Sequence, residues 1–137
     1  MRLSFFAMTV AGHDALTETT RTVLERYVRD LYDAPDLRLV PELLADPMYR
    51  HDAGGKVTMM TNDDCRARIG GFFDAATLAF RTVHLVVEGQ LASWTYEMTV
   101  TANDGTVTTI SSIETFLIED GKITHAWNAE HTPGPWA

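Results

Sequence analysis

From Phe80 onward the chain reads as four β-type runs separated by tight-turn signals, and that pattern narrows its architecture more than any other feature. The runs are about Phe80 to Glu88, Leu91 to Thr101, Thr106 to Ile118 and Lys122 to His131. Between them stand Glu88-Gly89, Asn103-Asp104-Gly105 and Glu119-Asp120-Gly121, residue types that accept the positive φ of short hairpins. Connections this short join antiparallel neighbours, because a parallel pair needs a long crossover. The second half of the chain is therefore an antiparallel meander.

The first half has a different period. Val23, Leu24, Tyr27, Val28 and Leu31 recur at helical spacing with Arg21, Glu25, Arg26, Arg29 and Asp30 between them, the pattern of an amphipathic helix. Thr17 or Thr19 is its expected N-cap and Ala34-Pro35 its stop. Asp36 is placed to cap a shorter second helix carrying Leu37, Val40, Leu43 and Leu44 and ending near Asp46-Pro47. Met48 to Asp52 reads as a brief strand running into a flexible loop at Ala53-Gly54-Gly55. A third helix opens at Thr61 or Asn62, with Asp63 and Asp64 in the first turn and an apolar stripe of Ile69, Phe72, Phe73 and Ala76. The tail Thr132-Pro133-Gly134-Pro135-Trp136 is not expected to continue a strand ladder. Helices first and a meander second make an α+β plan, with helices covering one face of a curved sheet.

At 137 residues the chain is one domain that can bury roughly two thirds of its unfolded surface, enough for a core and a single enclosed pocket. Eleven basic against nineteen acidic residues give a formal charge of −8 with no Lys/Arg cluster, which argues against nucleic acid and anionic membranes as partners. The lone Cys65 can form neither an internal disulfide nor a zinc pattern; it is a packing or helix-surface residue and fits a reducing, cytoplasmic setting. Arg2 followed by Leu3 to Val10 imitates a targeting segment but lacks a small-x-small cleavage site before His13 and Asp14. We read residues 1–16 as a loosely ordered leader, with translation starting at Met1 or Met8, and 17–137 as the domain. No run approaches the length of a membrane span. GxSxG, GxGxxG, P-loop and HExxH motifs are absent, as is a clustered His/Cys set, so neither a nucleotide cofactor nor a metal is expected.

Candidate chemistry rests on a few polar residues. Alternation puts Ile110, Ser112, Glu114, Phe116 and Ile118 on one strand face. If that face is interior, the Glu114 carboxyl is pushed toward its protonated form; if Ile113, Thr115 and Leu117 point inward instead, it is solvated. Asp52 stands at a strand end before a Gly pair, a place for a turn residue or for a general base at a pocket mouth. Tyr27 lies on the apolar stripe of the first helix, so its hydroxyl needs a partner. Of the five histidines, His51 and His131 stand at strand ends beside carboxylates and suit pocket chemistry. Trp94, Tyr96, Met98 and Val100 alternate with polar residues, and either face of that strand could line the cavity.

The order of several short stretches, Glu25-Arg26-Tyr27-Val28, Leu44-Ala45-Asp46-Pro47 leading to His51-Asp52, Ser112-Ile113-Glu114-Thr115-Phe116, Asp120-Gly121-Lys122-Ile123 and Trp127, resembles the ketosteroid-isomerase and SnoaL-like polyketide-cyclase branch of the nuclear-transport-factor-2-like superfamily. The resemblance covers nearly all of the chain beyond about Thr17. It implies a cystatin-like α+β cone, three N-terminal helices on a strongly curved, mainly antiparallel sheet, commonly paired sheet to sheet as a homodimer. It further implies a cofactor-free acid–base enzyme in which Asp52 is the base and Tyr27 with protonated Glu114 stabilises an enolate, a pattern known from the steroid isomerases. Glu114 is one methylene longer than the aspartate of those enzymes, and His131 stands near the place where many cyclases carry an aspartate. His51, Phe116, Trp127, Asn128, Glu130 and His131 would complete the pocket, whose polar mouth favours a small oxygenated carbonyl or polyketide-like substrate for isomerisation, cyclisation or dehydration. The same fold also serves non-catalytic ligand-binding or dimerisation modules.

Overall fold

The computed structural model describes residues 2–33 and 36–136. Helix α1 (Arg2–Arg26) continues into a π-helical turn, Tyr27–Asp33, and a short 3-10 turn, Leu37–Leu39, leads into α2 (Val40–Leu43). The strands β1 (Leu44–Asp52) and β2 (Lys56–Met60) follow, then α3 (Asn62–Ala75), then β3 (Ala76–Glu88), β4 (Leu91–Ala102), β5 (Val107–Glu119), β6 (Lys122–Asn128) and β7 (Thr132–Pro133). Among the described residues the strands form one seven-stranded sheet in the order β2-β1-β6-β5-β4-β3, with β7 on β5. The β1–β6 pair is parallel and the remaining pairs are antiparallel. This is the expected α+β cone, three helices on a curved, mainly antiparallel sheet.

Local chemistry accounts for most boundaries. Thr61 caps α3 with a complete capping box, its hydroxyl accepting from the Asp64 amide while the Asp64 carboxylate accepts from the Thr61 amide. Asp36 accepts from the Arg38 amide at 3.1 Å as the expected cap of the second helical segment. The β5–β6 turn places both Asp120 and Gly121 at positive φ, 50° and 74°, as a two-residue hairpin of this hand requires.

Several expectations are corrected. Helix α1 runs Arg2–Arg26, so Thr17 and Thr19 lie inside it and neither is its N-cap; the Ala34-Pro35 stop lies outside the described residues. Thr17 and Thr20 instead dock α1 onto the β3–β4 turn: Thr20 Oγ1 donates to the Gly89 carbonyl at 2.7 Å and Thr17 Oγ1 accepts from the Gly89 amide at 2.8 Å. The second helix ends at Leu43, because Leu44 is already extended at φ −117°, ψ 133°. The Gly54-Gly55 segment is a tight turn into β2, a strand that was not anticipated. Strand β3 begins at Ala76, four residues earlier than its run suggests. The tail does pair with β5, through Thr132 and Pro133, at an edge where a missing amide costs little.

The core lies between the helices and the concave face of the sheet. Leu24, Leu31, Val40 and Leu43 from the helices meet Trp94, Phe116, Ile118 and Ile123 from the sheet, each contributing about 1.5–3 kcal/mol of transfer free energy. Cys65 is buried in the same cluster as a free thiol, and burial pushes its pKa up to about 11. No helix among the described residues is long and apolar enough to cross a membrane.

Candidate functional site

Cross-strand register decides which side chains share the concave face. Glu114 on β5 stands opposite Trp94 on β4 and Asn128 on β6, and Asn128 stands opposite Asp52 on β1. Ile110, Ser112, Phe116 and Ile118 share that face, which is the interior: Phe116 is 1% exposed and Glu114 is 9% exposed, whereas Ile113 is 39% exposed. The inward apolar row of β4, Trp94, Tyr96, Met98 and Val100, lines the same interior.

These rows enclose a cavity of about 270 Å³. Leu78, Phe80, Met98 and Val100 form one apolar wall, and Tyr27, Tyr32 and Phe72 close it from the helical side. Arg50, Arg68, Glu114, Tyr96 and His131 supply polar groups. A smaller recess of about 30 Å³ shares Tyr27, Tyr32, Arg50, Arg68 and Glu114 and is floored by Phe116, Ile123 and Ala126.

Glu114 is the centre of the polar set. Tyr96 Oη donates to Glu114 Oε1 at 2.9 Å and lies 3.1 Å from His131 Nε2. Burial raises the Glu114 carboxyl above the usual carboxylate range, against a lowering hydrogen bond from Tyr96 and the charges of Arg50 and Arg68. Burial, the Glu114 charge and the Glu114 hydrogen bond all raise the Tyr96 phenol. Burial lowers His131, as do Arg50 and Arg68, so its imidazole is neutral at pH 7. Heavy atoms in these positions accommodate two proton arrangements. With Glu114 ionised, Tyr96 donates to it and His131 donates to Tyr96; with Glu114 protonated, every donor reverses and His131 accepts.

On the helical side Tyr27 and Tyr32 hydroxyls lie 3.0 Å apart. Burial raises Tyr27 well above an ordinary phenol and pushes Tyr32 up to about 12, so both stay protonated. One proton serves the bond between them and the other remains available to a ligand oxygen. The π-helical turn makes this possible, since i→i+5 winding brings residues five apart onto one face. The Tyr27 ring is held edge-on against Phe116 at 5.5 Å between centroids.

The structure therefore brings together Tyr27, Glu114 and His131, with Phe116 in the recess. Asp52 is not among the residues lining the cavity: it sits two strands from Glu114, a spacing of about 10 Å, beside the Arg50 guanidinium at 3.8 Å. Asn128 is 7% exposed, and its amide nitrogen and oxygen make no hydrogen bond among the described residues; it adjoins Glu114 in register without lining the cavity. Glu130 is exposed. His51 and Trp127 lie on the convex face, where His51 stacks on Trp127 at 4.8 Å and its Nε2 is 2.9 Å from His125 Nδ1. Alternation explains this, because His51 has the opposite parity to Arg50 and Asp52 on β1.

Tyr32, Arg50, Arg68 and Tyr96 were not singled out from the sequence. Parity from Asp52 points to Arg50, and parity on β4 groups Tyr96 with Trp94, but nothing local marks Tyr32, whose placement depends on the π-helical turn.

The SnoaL-like domain model matches residues 24–126. No curated protein sequence matches the chain. Solved structures share the fold: a proposed polyketide cyclase from Acidithiobacillus ferrooxidans has a TM-score of 0.69 at 15% identity, over 80% of this chain and 86% of that one. An LEH-like epoxide hydrolase from M. tuberculosis has a TM-score of 0.71 at 12% identity, over 82% and 83%. A proposed ketosteroid isomerase from Kribbella flavida has a TM-score of 0.66 at 15% identity, over 88% and 85%. A family model matched over most of the length, on a cone of helices and curved sheet, means that this chain belongs to the SnoaL-like domain family, within the nuclear-transport-factor-2-like superfamily.

Proposed function

We propose that the chain is a cofactor-independent, cytoplasmic acid–base enzyme of the isomerase, cyclase or dehydratase type, acting on a small, mostly apolar, oxygenated carbonyl compound. The observation that carries this reading is the Glu114 carboxyl, buried in an apolar cavity and linked through the Tyr96 hydroxyl to His131. A carboxyl with a raised pKa suits proton transfer near neutrality better than an ordinary one.

In this reading the spare phenol proton of the Tyr27–Tyr32 pair meets the substrate carbonyl oxygen and stabilises the developing enolate. Glu114 exchanges a proton with the adjacent carbon. Once protonated, Glu114 returns that proton to the substrate or passes it through the Tyr96 hydroxyl to His131 Nε2, and the exposed imidazole then releases a proton from Nδ1 to solvent, which restores the carboxylate. Asp52 does not line the cavity, so in this reading Glu114 takes the role of base.

The test is α-proton exchange in D2O, followed by NMR across a panel of cyclic ketones, aryl ketones and 1,3-diketones. The wild type is expected to exchange at least one member, and Glu114→Gln to lose about 10²–10⁴-fold of that rate while keeping the fold. Binding of panel members without exchange would make the protein a ligand-holding module and overturn the enzymatic reading.

A further inference from the structure

Resting on the cavity as the substrate site, we infer that its ligand carries a carboxylate in addition to the carbonyl, gripped by Arg50 and Arg68. Both residues line the main cavity and the recess together with Glu114. Five other arginines are closely paired, and these two are not. Arg26, Arg29, Arg38, Arg66 and Arg81 each hold a carboxylate at 2.6–2.9 Å. Arg50, with its side chain only 19% exposed, reaches Asp52 at no better than 3.8 Å, too far for a hydrogen bond. Arg68 makes no salt bridge among the described residues and rests over the Phe72 ring at 5.4 Å.

Glu114 is the single carboxyl lining the cavity among the described residues, and its burial favours the neutral form. Arg50, half-buried, and Arg68, exposed to solvent on its other side, thus bring two cations to a largely apolar space with at most one anion to answer them. A charge turned toward such a space is costly unless paired, and the planar guanidinium fork fits a carboxylate through two parallel hydrogen bonds. The apolar wall of Leu78, Phe80, Met98 and Val100 takes the rest of the molecule. At about 270 Å³ the space is at the low end of small-molecule sites, roughly 300–1,000 Å³, which suits an oxo-acid of one or two rings better than a larger skeleton.

Titration calorimetry with four probes of one shape decides the matter: 2-naphthoate, 2-naphthamide, methyl 2-naphthoate and 2-naphthyl phosphate. The expected result is that naphthoate binds at least tenfold tighter than the amide or ester, and that Arg50→Gln and Arg68→Gln each erase this preference while amide binding persists. Retained amide binding and an unchanged circular dichroism spectrum show that the variants fold. Equal affinity for acid and amide, a preference that survives both substitutions, or a phosphate bound more tightly than the carboxylate overturns the carboxylate inference and leaves the acid–base reading standing. Failure of all four probes to bind overturns the cavity as a ligand site, and both readings with it.

Discussion

At the scale of single residues, Glu114 concentrates the chemistry because its surroundings penalise its charge. Its folded pKa is raised by burial, so between the unfolded value, about 4.3, and the folded one the native state holds more protons than the unfolded state. Stability from this group is therefore complete below about 4.3 and is lost as pH rises through the folded pKa. Glu114→Gln, which cannot ionise, is expected to flatten that decline, and denaturant unfolding of both proteins from pH 4 to pH 8 checks it. The inward face of β5 was undecided from its pattern because Ile113 and Leu117 make the opposite face almost as apolar as that of Phe116 and Ile118. Cross-strand partners break the tie, and these are not visible in a local window. Asp52 was legible as a strand-end carboxylate, but strand parity carries no information about how far a row extends past the rim of a cavity.

At the scale of elements, the hairpins from β3 to β6 and the capping box of α3 were legible because turn chemistry is local. The π-helical turn, the early start of β1 and the short strand β2 were not, because each depends on what packs against it. The docking of α1 shows the same dependence. Thr17, expected as a cap, is instead spent with Thr20 on the Gly89 turn, where Thr20 is 1% exposed and its hydroxyl satisfies a buried carbonyl. Thr20→Val keeps the shape and orphans that acceptor, so it is expected to lower stability by about 1–3 kcal/mol. Equilibrium unfolding in urea measures this; a loss below about 0.5 kcal/mol would mean that α1 does not depend on the bond.

At the scale of the whole molecule, the cone has a concave face closed around the Glu114 cavity and a convex face left apolar. Val57, Met59, Ile113 and Trp127 are exposed there, on strands β2, β5 and β6, around the stacked His51, His125 and Trp127. We propose that this face pairs two copies of the chain. Light scattering should give twice the 15.3 kDa chain mass at micromolar concentration, and Trp127→Glu should return it to the monomer. A monomeric wild type would contradict the pairing without touching the cavity. The cavity itself stands or falls on where the proton goes. The most direct measurement compares α-proton exchange by Glu114→Gln and Asp52→Asn on a ketone that the wild type exchanges. A loss of about 10²–10⁴-fold in Glu114→Gln with Asp52→Asn remaining within about tenfold of wild type is the result predicted here; the reverse order would return the base to Asp52 and contradict the account.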